Sequence, residues 1–217
     1  MPVLLDDIEA RVLGSLAEKA LTVREQYPLT FNSLLAACNQ KSSREPVMNL
    51  DLGSLGRAVQ SLIDKGLAER VQAPGDRVPK FRHRISALLG TDDPKLTGLF
   101  IVLLLRGFQT PGEIKGRSER LCSFESTAEV EGLLRELSAR PEPLVARLPR
   151  QAGQKETRYR HLFSSPASAA GPEPEAGPAA TAAEPAAADD RLAALERRVE
   201  ALEAALKELK EGPAGRT

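Results

Sequence analysis

The sequence predicts a mainly helical α+β chain in which one structural pattern is used twice. Three observations carry that expectation. Apolar residues recur at helical spacing behind recognisable capping residues. Each half closes with two short β-type runs joined by a Gly-containing turn. The two closing runs also align with each other: LAERV at 67–71 with LVARL at 144–148, and KFRHRI at 80–85 with RYRHLF at 158–163. Helices followed by a β-hairpin form the order of a winged helix-turn-helix. The expected architecture is therefore two tandem winged helix-turn-helix domains with small β-hairpins, at 1–89 and 90–163.

In the first pattern, Asp6 and Glu9 form a capping box ahead of a helix reaching about Lys19, with Ile8, Val12, Leu13 and Leu16 on one face. Tyr27-Pro28 interrupts, and Thr30 caps a second helix from Phe31 to about Asn39. A polar stretch follows, and Asp51 opens a third helix carrying Leu52, Leu55, Val59, Leu62 and Ile63, which Gly66 ends. Leu67 to Val71 and Val78 to Ile85 read as strands around the turn Pro74-Gly75-Asp76.

The second pattern opens near Asp92. The run LTGLFIVLLLRG reads as a buried helix ending at Gly107. Thr110-Pro111-Gly112-Glu113 is a helix start, with a Thr cap, Pro at the first helical position and an acid three residues after the cap. Ser126 and Glu129 read as another capping box, before a helix with Val130, Leu133, Leu134 and Leu137. Leu144 to Leu148 and Thr157 to Phe163 read as the strands, with Gly153 at the turn.

Beyond this point the composition changes. Residues 164–190 contain 11 Ala and 5 Pro and no Leu, Ile, Val or aromatic residue, which predicts a disordered linker. Over 191–212 periodicity returns: Leu192, Leu195, Val199, Leu202, Leu206 and Leu209 make an a/d heptad seam. In a parallel pair Arg191 and Arg198 would face Glu196 and Glu203 of the other copy. A homodimer through this coiled-coil helix is the expectation, with fold-back onto the globular part as the alternative.

The chain has 217 residues, with 30 Lys+Arg balanced by 30 Asp+Glu. That zero hides structure: residues 1–89 and 90–163 each carry +2, and residues 164–217 carry −4. Leu99 to Leu105 is the longest apolar run, far short of the roughly 20 residues of a membrane span. The acidic start MPVLLDDIEA lacks a signal-peptide n-region, so a cytoplasmic location is expected. Cys38 and Cys122 form no CxxC unit and read as core thiols. His83 and His161 fall at equivalent places in the two return strands with no ligand cluster beside them, so no metal and no cofactor are expected. Neither a nucleophile–base pair nor a phosphate loop can be nominated. The expectation is a protein that is not an enzyme and has no small-molecule substrate.

The hairpins carry the functional signal. Residues 65–84 and 144–163 each have a net charge of +4. Winged helices place the third helix in the major groove and the hairpin along the backbone. Duplex DNA is therefore the leading candidate partner. Arg57 and Gln60 would probe base edges. Arg77, Lys80 and Arg82, with Arg150, Lys155, Arg158 and Arg160 in the second copy, would meet phosphates. Glu129, Glu131 and Glu136 make the second copy the poorer reader. The alternative is a protein-interaction scaffold that uses Lys41, Arg44 and Glu45 of the 39–49 loop together with the C-terminal helix.

EQYPLTFNSLLAACNQKSSREPVMNL at 25–50, LLLRGFQTPGEIKGR at 103–117 and KETRYRHLF at 155–163 resemble the YceH-like family of uncharacterised bacterial proteins. Where that pattern usually has Asn, this chain has Ser43. The resemblance implies two winged-helix domains and a C-terminal heptad helix, and it implies no particular activity.

Overall fold

The computed structural model describes residues 3–72, 77–148 and 156–164. The heptad seam at 191–212, the linker beyond Ser164, both hairpin turns, and with them Arg150 and Lys155, lie outside the described residues. All described residues belong to one compact unit.

Helix α1 runs Asp7–Thr22, three residues further than its periodicity suggests. Its capping box forms in full: Asp6 accepts from Glu9 N at 2.7 Å and Glu9 accepts from Asp6 N at 2.7 Å. A short 3-10 turn, Arg24–Gln26, leads into strand β1, Leu29–Thr30. Helix α2 is Phe31–Cys38, and the Thr30 hydroxyl accepts from Ser33 N. Helix α3 is Leu52–Asp64, capped by Asp51, which accepts from Ser54 N at 2.8 Å. Strands β2, Ala68–Val71, and β3, Lys80–His83, pair antiparallel, and β1 joins the other side of β3. The resulting sheet has the order β1-β3-β2.

Helix α5, Pro94–Arg106, follows the short helix α4, Ile85–Leu89. Then come α6, Pro111–Ser118, α7, Thr127–Ala139, and the antiparallel pair β4, Val145–Arg147, and β5, Tyr159–His161. The place of β1 is taken by one residue. Gln109 exchanges both backbone hydrogen bonds with Tyr159, at 3.0 and 2.8 Å. The same order of helix, strand contact, two helices and ribbon is thus built twice.

Three local expectations change. β1 was not anticipated, because two residues after Pro28 are too few to show a period. The return strand ends at His83 instead of Ile85. Arg84 N donates to Leu67 O at 2.7 Å and the chain turns into α4, whose Ile85 and Leu89 are buried one turn apart. The Ser126–Glu129 box forms only halfway: Ser126 accepts from Glu129 N, but the Glu129 carboxylate accepts from Glu125 N and pairs with Lys95.

The core runs through both halves along α1 and α5. Leu13, Leu16, Leu99 and Leu103 are fully buried there, and each such side chain contributes roughly 1.5–3 kcal/mol of transfer free energy. Gly14 permits the close approach: a Cβ there would lie 2.9 Å from Leu105 Cδ2 and 3.1 Å from Leu104 Cβ. Helix α5 is buried over most of its circumference, as its unbroken apolar run requires. The start of the chain also closes against the end of the second ribbon, where Leu5 N donates to Phe163 O at 2.6 Å. Among the described residues no helix is long and apolar enough to cross a membrane.

Candidate nucleic-acid interface

Helix α3 turns Leu55, Ala58, Val59 and Leu62 inward, which leaves Arg57 and Gln60 exposed. Arg57 Nη2 donates to Ser54 Oγ at 3.1 Å, and Gln60 donates to Asp64 at 2.8 Å. Both are surface contacts that water or a ligand can replace.

Beside α3 the first ribbon carries its cations unevenly. Arg70 and Arg77 are exposed. Arg82 stands opposite Glu69 in register and pairs with it, and Arg84 reaches the same carboxylate at 3.8 Å. One carboxylate therefore serves two guanidiniums, whose side chains stay 54% and 60% exposed. Lys80 is half-buried in the central strand, opposite Val71 on one side and Thr30 on the other. Lys65, counted with this cluster in the sequence, points the other way. Its ammonium binds Glu9 and donates to Leu4 O at 2.9 Å, fixing the end of α3 to the start of α1.

In the second half the cations are more engaged. Arg158 donates to Phe108 O at 3.3 Å and lies 3.8 Å from Glu113. Arg147 is exposed and reaches Thr157 Oγ1 at 3.4 Å, and Arg160 is half-buried opposite Ala146. Helix α7 shows solvent two i,i+4 pairs, Glu131–Arg135 and Glu136–Arg140.

The 39–49 loop holds the largest departure from expectation. Lys41 and Glu45 are exposed, but the Arg44 side chain is 0% exposed. Its guanidinium grips Glu18 of α1 with two hydrogen bonds, 3.1 and 2.6 Å, and donates to Ala37 O and Ser43 O. Arg44 therefore pairs across the fold with Glu18 and is not offered to an outside partner as expected. Burial by itself would raise the Glu18 carboxyl; the hydrogen bonds and charge of Arg44 outweigh it and hold the group below its ordinary value. Arg11 lies beneath, 1% exposed, and donates to Cys38 O at 3.2 Å and Pro46 O at 2.6 Å. Asn39 completes the loop by exchanging bonds with both backbone groups of Leu50. The loop is long because its ends are tied by these side chains. The signal available in the sequence was Arg11, a cation inside the apolar stripe of α1.

Burial pushes the Cys38 thiol up to about 11 and raises that of Cys122, so both stay protonated near neutrality. Among the described residues no group of His, Cys, Asp and Glu is arranged to hold a metal ion.

A family profile described as "Protein of unknown function, DUF480" matches residues 5–154. A UPF0502 protein of Geotalea daltonii is 51% identical over 179 residues, which cover 81% of this chain and 81% of that protein. One from Pectobacterium carotovorum is 41% identical over 210 residues, covering 95% of this chain and 94% of that protein. A third, from Geobacter sulfurreducens, is 49% identical over 164 residues, covering 76% and 74%. The chain belongs to the DUF480/UPF0502 family of bacterial proteins, the YceH-like family that its motifs resemble.

Proposed function

We propose that this chain is a cytoplasmic, non-enzymatic DNA-binding protein with two winged helices, and that the first half makes the principal contact. The observation that carries this reading is the placement of α3 beside the β2–β3 ribbon. Arg57, Gln60, Arg70, Arg77 and Arg82 are all exposed on these elements. In a winged helix a third helix in this position enters the major groove and the ribbon follows the backbone. Strand order β1-β3-β2 behind three helices suits that fold. Phosphates would compete with Glu69 for Arg82 and Arg84, whose guanidiniums are on the solvent side of these pairs.

The test is fluorescence anisotropy of the full chain with a labelled duplex. Affinity is expected to fall steeply between about 50 and 200 mM salt. Replacing Arg57, Arg77 and Arg82 together by Ala is expected to weaken binding at least tenfold, and Arg158→Ala less than twofold. Absence of binding at low salt overturns the reading. The rival reading, a protein-interaction scaffold, draws on Val47 and Leu52, which are 56% and 54% exposed, and on the exposed Lys41 and Glu45. It gains if duplex binding is absent while Val47→Asp disrupts an assembly in solution. Dimerisation through 191–212 belongs to the same proposal, and deletion of that segment is expected to halve the mass in solution.

A further inference from the structure

Cations from both halves converge on one recess, away from the ribbons. It lies where α1 and the start of the 39–49 loop meet α5 and α6. Its volume is about 210 Å³, and its walls include Lys19, Ser42, Ser43, Arg106, Arg117 and Arg120. The carboxylate in the wall is that of Glu18, and Arg44 takes both its oxygens. Lys19 keeps looser contacts, 3.3 Å to Gln40 and 3.4 Å to Glu18. Arg117 is held by Gln109 and lies 3.4 Å from Glu113. The guanidiniums of Arg106 and Arg120 have no ion pair or hydrogen bond among the described residues. Arg106 is half-buried, with Val102 and Leu105 of its own helix in the same wall. Glu45 and Glu18 act on Arg106 only through longer-range charge, with no direct ion pair among the described residues, and Arg117 and Arg44 oppose them. The burial of this cation is therefore only partly offset, and a bound anion would complete it.

We propose that this recess binds a small phosphate monoester, its dianion facing Arg106 and Arg120 and its hydroxyl groups facing Ser42 and Ser43. Guanidinium forks match phosphate oxygens with two parallel hydrogen bonds. A recess of this size suits a phosphate on a short polyol and is too small for a duplex. Burial lowers the Arg106 guanidinium from its ordinary value, and the like charge of Arg117 adds to the effect. A bound dianion reverses that. The recess does not depend on the DNA reading, since it shares no residue with α3 or the first ribbon.

The test is calorimetric titration and thermal melting of the full chain with glucose 6-phosphate, inorganic phosphate and glucose, at ionic strength fixed with chloride. Glucose 6-phosphate is expected to bind and raise the melting midpoint, and glucose to do neither. Arg106→Gln and Arg120→Gln are each expected to weaken the ester at least tenfold. Without ligand, Arg106→Gln is expected to melt at or above the parent midpoint, because like-charge crowding is relieved. A purely structural Arg106 would instead lower it. Arg120 is exposed, so Arg120→Gln carries the test if Arg106→Gln does not fold. Three results overturn the proposal: binding of inorganic phosphate without the ester, variants that bind the ester like the parent, or an equal loss of duplex affinity in Arg106→Gln. The last would assign these cations to a nucleic-acid surface.

Discussion

The two halves of the molecule share one order of elements and solve two local problems differently. In the first half, residues 39–51 join α2 to α3, and two buried arginines hold that loop from below. In the second half, residues 119–126 join α6 to α7, and a half-exposed Lys95–Glu129 pair with a Ser126 cap suffices. The return strands differ as well. His83 is half-buried and its Nδ1 accepts from Ile85 N at 3.2 Å, whereas His161 is buried and its Nδ1 has no partner among the described residues. The shared order follows from hydrophobic spacing and caps. The differences follow from where polar groups are forced inside by the packing of α1 on α5. A repeated topology therefore does not carry a repeated distribution of buried charge.

The sharpest way to break this comparison is Arg44→Ala. It removes four hydrogen bonds and leaves the Glu18 carboxylate, 14% exposed, with only the looser Lys19 contact at 3.4 Å. The expected cost is about 3–5 kcal/mol, read as a lower midpoint in urea. Lys95→Ala in the second half, where both partners are solvated, is expected to leave the midpoint close to the parent's. The pair also has a pH signature. Glu18 is held below its ordinary value, so its contribution is present near neutrality and is lost as pH falls through the carboxylate range. If Arg44→Ala and Lys95→Ala cost the same, the buried clamp is not what distinguishes the halves.

The histidines sharpen the comparison at intermediate size. Burial, reinforced by the charge of Arg160, pushes His161 down to about 4. Its ring stacks on Phe163, with centroids 6.0 Å apart. The unfolded chain takes up this proton near pH 6.5 and the folded chain only near 4. The unfolded state therefore binds more protons across that window, and stability drops as pH falls through it, by up to about 3 kcal/mol. His161→Phe is expected to flatten that limb of the pH–stability curve. His83→Phe is expected to flatten it less, because burial lowers the half-buried His83 without taking it as far. An acid limb that His161→Phe leaves untouched would mean that the ring is solvated in the folded chain.

These features show how far the sequence could be read. Helix boundaries were legible because each is written in local chemistry: Asp6, Thr30, Asp51, Thr110 and Ser126 all accept the backbone bond that their position implies. The alignment of LAERV with LVARL reported the two ribbons, because alternation and register repeat together. Long-range pairing was not legible. Nothing near Arg44 points 26 positions back to Glu18, and nothing near Lys65 points to Glu9. Residues that read as one basic patch on a line of sequence are divided by the fold: Lys65 closes α1, Arg82 answers Glu69, and Arg77 stays exposed. The Arg106–Arg120 recess was invisible for the same reason, since its walls come from segments that only packing brings together.

The finest comparison concerns backbone shape inside the two joints. Ser43 has φ of 58°, and it is the one non-glycine residue with positive φ among the described residues. A Cβ in the left-handed region costs on the order of 1 kcal/mol, less for Asn, whose side chain bonds locally, and nothing for Gly. Ser43→Gly is therefore expected to stabilise the chain by about 0.5 kcal/mol in thermal melts, the relief of strain exceeding the added freedom of the unfolded backbone. Ser43→Asn is expected to act in the same direction. Ser123, exposed in the joint of the second half, has no such strain. Ser123→Gly adds unfolded-state entropy with nothing to offset it and is expected to destabilise slightly. Opposite signs for two identical substitutions would locate the strain in the clamped loop, and equal signs would remove backbone geometry as a difference between the halves.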